Sequence, residues 1–587
     1  MGGRRTFWIA LGAVLVLGIH PLLRVIAEAA GDADAFWLTV TSPETRNSLW
    51  TTIQLGVATT SIAVLVGTTL AWLSTRTDLP GQRWLGTILT IPYIVPPYIS
   101  AVAWINLANP EVGILNTWLG PGTLDIYTFG GIAWVLALSF YPYVYLTVRA
   151  ALKNADPSLE DAARMSGAGT WRVLRDVSLP LMRPAIATSG GLVLMATVSA
   201  FGAPALLDAH RRVPVLSTRI YESLTSDLDG IHYASSLATL LFLFALVPML
   251  VPTARHAVLT GKASRPSLVR LGRSRGPVIG LVLLFVIAAV VLPALAVCGT
   301  AFLRIAGDFS FDNLTLDNFR VLSRPESMEA IGNSLWLGVC AATIAVLLGG
   351  AIAFIQIRTR HRGRSALAAL ATIPLATPGT VLAIGLLLAW TRPIDLRNTA
   401  WILLAAYVAK YVALASRAIG EGLGTVDTAL AEAARMSGAR SWFRLRTVWI
   451  PLALPSIVAG WFLVFMPSFS ELTMSLILVG PGLDTIGTRM FELQEYEGPV
   501  AASALATVVL GLVVFSNVLV KALSKGRYGI RYEYGHAAER IEGLRRQPDH
   551  HGPRPHGRRR GVPVVARGIR LRQDDRAPAH RGTGDAR

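Results

Sequence analysis

Twelve runs of about 20 apolar residues, the length that crosses a bilayer core as a helix, constrain this chain more than any other feature. They lie at 7–27, 49–73, 84–108, 129–152, 185–206, 234–251, 277–302, 335–357, 366–390, 399–415, 457–467 with an extension to 479, and 500–521. Hydrocarbon offers a backbone no hydrogen-bond partners, so such runs must form helices that satisfy their own. The expected fold class is an all-α membrane protein with about 12 transmembrane helices. Composition excludes the alternatives: 52% of the 587 residues are hydrophobic and 15% charged, against roughly 25% charged in soluble proteins. A soluble enzyme and a disordered chain are both ruled out. The two cysteines, Cys298 and Cys340, fall inside apolar runs, which leaves no disulfide framework or Cys-rich metal site.

The net charge of +18 invites a nucleic-acid reading, but its distribution argues for topology. Residues 149–183 carry six Lys or Arg, 255–276 carry six and no acid, and 358–364 carry four. The alternate loops are acidic or neutral: 28–47 has four acids against Arg46, 109–128 has no Lys or Arg, and 480–499 has four acids against Arg489. Cytoplasmic loops hold the basic excess, so both termini are expected inside, with lipid rather than nucleic acid as the surroundings.

The chain also repeats once. Asn47-Ser48-Leu49-Trp50 recurs as Asn333-Ser334-Leu335-Trp336, and residues 162–168 (AARMSGA) are identical to 433–439. The match continues through Trp171 and Trp442, Pro180 and Pro451, and Pro184 and Pro455. Two parallel six-helix repeats follow, a first half at 1–254 and a second at 277–530, joined by a basic linker at 255–276.

Each copy of the repeated loop reads as a helix of about ten residues, half the length needed to cross. Asp156 with Pro157, and Asp427, are N-terminal signals, and Gly167 and Gly438 are stops. Leu159, Ala162, Ala163 and Ser166, like Leu430, Ala433, Ala434 and Ser437, share one small apolar face. That face suits a partner's groove or a lipid surface. With Asp161-Ala162-Ala163 and Gly167, and Glu432-Ala433-Ala434 and Gly438, each Gly followed thirteen residues later by a Pro, the segments resemble the EAA loop of ABC importer permeases. Asp161 departs from the family's Glu, and Ile450-Pro451 from its Leu-Pro. The resemblance implies that the two loops are coupling helices seated on a cytoplasmic ABC ATPase dimer, and that a periplasmic or lipid-anchored solute-binding protein delivers the cargo. It implies no cofactor in this chain, since ATP and Mg belong to the ATPase. A fused two-half chain is most similar to the ferric-iron permeases, with thiamine, polyamine and 2-aminoethylphosphonate permeases close behind.

Acids within spans are functional candidates because their burial is costly. Glu471, whose counterpart in the first half is Ala200, is the foremost, either as a hard oxygen ligand on the substrate path or as a wet residue at the outer end of its span. Tyr93 and Tyr141, with Tyr98, Tyr143 and Tyr145, are candidates to line the path or to mark the membrane interface. The proline-interrupted segments 91–97 and 373–378 are natural places for helix breaks near a transport route, but proline is common in membrane helices and a simple kink is the expected role. Residues 531–587 form an Arg-rich tail with 14 Arg against 7 acids. It reads either as a tail for anionic surfaces or as a frameshift product, since GC-rich codons for residues 568–575 spell ASGCGKT in the next frame, the centre of a phosphate-cradling loop. The rival class is an ion-gradient-driven secondary transporter, which also uses parallel repeats but has no use for two docking helices. A membrane scaffold without transport is the third reading.

Overall fold

The computed structural model describes residues 2–208, 212–226, 230–250, 268–308, 310–391 and 394–516; most of the linker and the whole Arg-rich tail lie outside these. The first half contains α1 (Arg4–Gly31), α2 (Pro43–Arg76), α3 (Trp84–Tyr93), α4 (Pro97–Ala108), α5 (Phe129–Asn154), α6 (Ser158–Met165), α7 (Thr170–Val198), α8 (Gly202–Leu207), α9 (Leu216–Ser226) and α10 (Gly230–Val247). The second half repeats them in order as α11 (Gly272–Thr300), α12 (Pro325–Arg358), α13 (Arg364–Ala376), α14 (Gly379–Ala389), α15 (Ala400–Thr425), α16 (Thr428–Met436), α17 (Ser441–Phe469), α18 (Thr473–Leu478), α19 (Ile486–Glu492) and α20 (Pro499–Ser516). Among the described residues no β-strand occurs, only two isolated bridges. Among the described residues ten helices are long and apolar enough to cross a membrane, or twelve if each bent pair, α3 with α4 and α13 with α14, is one span.

The bent pairs are the main departure from twelve continuous spans. They turn by 97° and 106° at Pro96 and Pro378, whose backbones (ψ 139° and 140°) are extended rather than helical. Proline fixes its own φ and pushes the residue before it out of the helical region, so the chain turns there in both halves. The other departure is at 149–183, expected as a loop, which is helical again from Thr170. One π turn, Leu174–Ser178 before Pro180 and Leu445–Trp449 before Pro451, takes up the ladder bond each proline cannot make.

In each half the long second helix packs on the fifth and seventh: α2 on α5 and α7, α12 on α15 and α17. The first helices cross over. The C-terminal part of α1 packs against α14 of the other half, and the end of α11 against α4. Gly385 of α14 lies so near Pro21 that a Cβ there would stand 2.6 Å from the Pro21 carbonyl oxygen. Asn106 of α4 donates to Ser503 of α20 across 2.7 Å. These exchanges join both halves into one compact unit, Met1–Ser524.

Candidate functional site

The two repeated loops fold alike. Asp427 caps α16 by accepting from the Ala429 N–H at 2.9 Å, and Asp156 accepts from Ser158 N–H at 2.9 Å. These hydrogen bonds with Ser158 hold the Asp156 carboxyl below its usual range. Each helix ends in the same two bonds. Ala168 N–H donates to Ala163 and Gly167 N–H to Arg164, while Ala439 N–H donates to Ala434 and Gly438 N–H to Arg435, all between 2.9 and 3.0 Å. This is a Schellman closure, which needs a left-handed residue; φ is 83° at Gly167 and 82° at Gly438. Leu159, Ala162, Ser166, Leu430, Ala433 and Ser437 are exposed, as is Glu432, with Ala163, Ala434 and Asp161 half-buried. Met165 and Met436 are 90% and 88% exposed, so among the described residues nothing covers the apolar tips.

What holds the loops to the membrane helices was not legible in the sequence. Glu160, one residue before the matched segment, is 2% exposed and accepts from Arg76 Nε at 3.1 Å and Ser178 Oγ at 2.8 Å. Its counterpart in α16 is Ala431, so the repeat conceals it.

A second polar cluster lies where the helices break. Glu471 is buried, at 8% exposure, which removes the reading of a wet residue. Its carboxylate accepts from Met474 N–H at 2.8 Å, Ser475 N–H at 2.9 Å and Ser475 Oγ at 3.0 Å, satisfying the otherwise unpaired donors at the start of α18. Tyr407 and Ser475 share a hydroxyl hydrogen bond of 2.6 Å. Lys410 Nζ donates to the Thr377 carbonyl at the α13–α14 break. The buried Tyr98 hydroxyl has no hydrogen-bond partner among the described residues. At the matching positions the first half has Ala200, Ser139, Leu136 and Pro204 for Glu471, Lys410, Tyr407 and Ser475. The set of Glu471, Lys410, Tyr407 and Ser475 therefore belongs to the second half alone.

The tyrosines divide. Tyr141 is fully buried and donates to the Leu89 carbonyl, within α3, at 2.8 Å. Tyr93 is 44% exposed, with its ring edge-on to Tyr143. Tyr145 accepts from Ser74 Oγ at 3.4 Å. Among the described residues no three His, Cys, Asp or Glu side chains come together as a metal site.

Residues 62–305 and 341–527 each match the family described as binding-protein-dependent transport system inner membrane component. The chain is similar to the ferric transport system permease protein FbpB of Actinobacillus pleuropneumoniae, at 25% identity over 81% of this chain and 70% of that one. It is similar to the Fe(3+)-transport system permease protein FbpB 2 of Haemophilus influenzae, at 24% identity over 89% of this chain and 99% of that one. The spermidine/putrescine permease protein PotC of Haemophilus influenzae is 30% identical over 34% of this chain and 80% of its own length.

Proposed function

The chain belongs to the family of binding-protein-dependent transport system inner membrane components, and we propose that it is the fused two-half permease of an ATP-driven ferric-iron importer. The observation that carries this reading is the pairing of two family matches, one per half, with two identically closed loop helices whose apolar tips are exposed. The iron assignment follows the similarity to ferric permeases along most of the chain; polyamine, thiamine and 2-aminoethylphosphonate are the alternatives. The chain is a membrane component and not itself an enzyme. A separate ATPase dimer hydrolyses ATP with Mg, and a solute-binding protein brings the iron.

Charge sets the orientation. The end of α2 and the loop after α5 both belong with the basic, inner side, so α5 runs inward and the α3–α4 pair must carry the chain outward. Each bent pair then counts as one crossing, twelve in all, with both termini inside. The domain limits proposed above, 1–254, 255–276 and 277–530, fit this count, and the tail at 531–587 keeps its two readings.

Asp161, Ala162, Ala163 and Gly167, with Glu432, Ala433, Ala434 and Gly438, form the ATPase-coupling surfaces. Closure of the ATPase brings the loops together and the halves rock from inward-open to outward-open. ATP drives this only through its differential affinity for the two states. Glu471 and Tyr93 are the residues proposed to meet the cargo, Glu471 as a hard oxygen ligand suited to a ferric ion. Tyr141, also a path candidate, has its hydroxyl committed to Leu89.

The test is ATP-dependent uptake of labelled ferric iron by cells with and without the gene, beside thiamine and spermidine. Gene-dependent iron uptake that survives loss of the membrane potential but not of ATP is expected; entry of another solute would overturn the iron assignment, and dependence on the potential alone the importer class. Gly438→Val probes the coupling loops. A Cβ at Gly438 meets nothing within 4 Å, so only the left-handed backbone is strained, by about 1–2 kcal/mol. The variant should insert normally and hydrolyse ATP in complex while importing little. Normal iron import per ATP by this variant would sink the docking role of the loop.

A further inference from the structure

Arg76 and Arg358 are the last residues of two 34-residue helices, α2 and α12, and each is held to the loop of its own half by a different device. Arg76 is 2% exposed. Its guanidinium meets the Glu160 carboxylate of α6, 3.1 Å away. The same carboxylate oxygen accepts from Ser178 at the entry to α7, and Arg164 of α6 lies 4.0 Å from the other oxygen. The Arg76 carbonyl accepts from Val269 N–H at 2.8 Å, which ties the end of the inter-half linker to the same point.

In the second half the acid and the hydroxyl are absent. Ala431 stands for Glu160 and Trp449 for Ser178. Arg358 instead donates to the carbonyls of Leu423 and Val426, which lie where α15 gives way to α16. Its guanidinium stacks over Trp449, 4.4 Å from the ring centroid, in a cation–π contact. The charge of one arginine is met by a carboxylate, that of the other by two carbonyl dipoles and an aromatic face. Acid, hydroxyl and indole have changed together while the arginine has stayed.

We infer that Arg76 and Arg358 are positioning residues for transport: clamps that make each loop and the cytoplasmic end of its first core helix move as one body, with Glu160 and Trp449 as interchangeable counterparts. This rests on the reading of α6 and α16 as ATPase-docking helices. Without a clamp, a short helix on a glycine-ended loop can follow the ATPase while α2 or α12 stays behind. ATP would then be hydrolysed with no change in the membrane.

The experiment compares Glu160→Ala, Ser178→Trp and the double variant in the whole importer, reconstituted in vesicles with its ATPase and binding protein. Iron moved per ATP hydrolysed is read and normalised to inserted permease. A merely structural role would lower the amount inserted and leave this ratio alone. Glu160→Ala is expected to lower the ratio roughly tenfold, within the span usual for coupling between sites. The double variant, which rebuilds the second-half device in the first, should recover most of it although Ser178→Trp alone does not help. Such non-additivity is the signature of residues that share one partner. Should Glu160→Ala leave too little protein in the membrane, Glu160→Gln, which keeps the shape and one acceptor oxygen, carries the same comparison. An unchanged ratio in the Glu160 variant, or a double variant no better than the single one, overturns the clamp. If Gly438→Val lowers the ratio while Glu160→Ala does not, the clamp alone fails; if neither lowers it, the docking reading fails with it.

Discussion

Gly67→Val and Gly349→Val should each prevent the chain from accumulating in the membrane as a folded protein. The two glycines occupy equivalent places where the second helix of each half crosses the fifth. A Cβ on Gly67 would stand 2.7 Å from Val144 Cβ, 2.8 Å from the Tyr141 carbonyl oxygen and 3.0 Å from Tyr145 N. On Gly349 it would meet Ser416 N at 2.8 Å, the Val412 carbonyl oxygen at 2.9 Å and Ala415 Cβ at 3.0 Å. Several of these atoms are backbone, so no rotamer change can relieve the clash and the helices must part. Membrane helices associate by close packing because lipid supplies no hydrophobic drive between them. Parting them costs more than the about 1–3 kcal/mol of an ordinary overpacked core. Inserted amount and thermal unfolding of the purified chain would measure the effect, with Gly→Ala intermediate. A Val variant at either site with wild-type stability would show that the crossing is looser than its geometry.

Glu471→Ala should also be damaging, because it strips the backbone N–H groups of Met474 and Ser475, at the start of α18, of their acceptor. A buried donor left unpaired costs about 1–3 kcal/mol. Glu471→Gln, which still offers an acceptor oxygen to Met474 and Ser475, should be milder. Glu471→Gln is therefore the informative variant, since it should keep much of the thermal stability. Iron uptake should still fall with it, because the carboxylate proposed to meet the ferric ion is missing. Wild-type uptake by a stable Glu471→Gln variant would make Glu471 a cap for α18 and nothing more.

Much of this was readable one residue at a time. Asp427, Gly438 and Gly167 announced the ends of the loop helices because capping is local chemistry, decided within five or six residues. Pro96 and Pro378 marked interruptions for the same reason, but a simple kink was expected at each, and only the structure shows turns of 97° and 106°. Residues 170–184 were misread as loop because two prolines and three arginines look like a connection. A π turn before Pro180 lets the helix start there nonetheless. Glu160 gave no signal at all: beside Asp161 in a short polar helix it looks like one more solvated acid, and only the approach of Arg76, 84 positions earlier, makes it buried.

The sequence by itself determined that the chain enters a membrane, that it does so twice over in the same pattern, and that each half carries the same short loop helix. Hydropathy, capping and repetition suffice for that, because each measures a residue against water, lipid or its near neighbours. Only the tertiary structure decided that α1 and α11 cross to the opposite half, that Lys410 serves a carbonyl at the second break and Tyr141 one within α3, and that Glu471 faces protein rather than water. A helix face packed on another helix and one packed on lipid are both apolar. Which partner each face meets is settled by small residues and by the few polar groups that must find one another, and these pairs are distant in the chain.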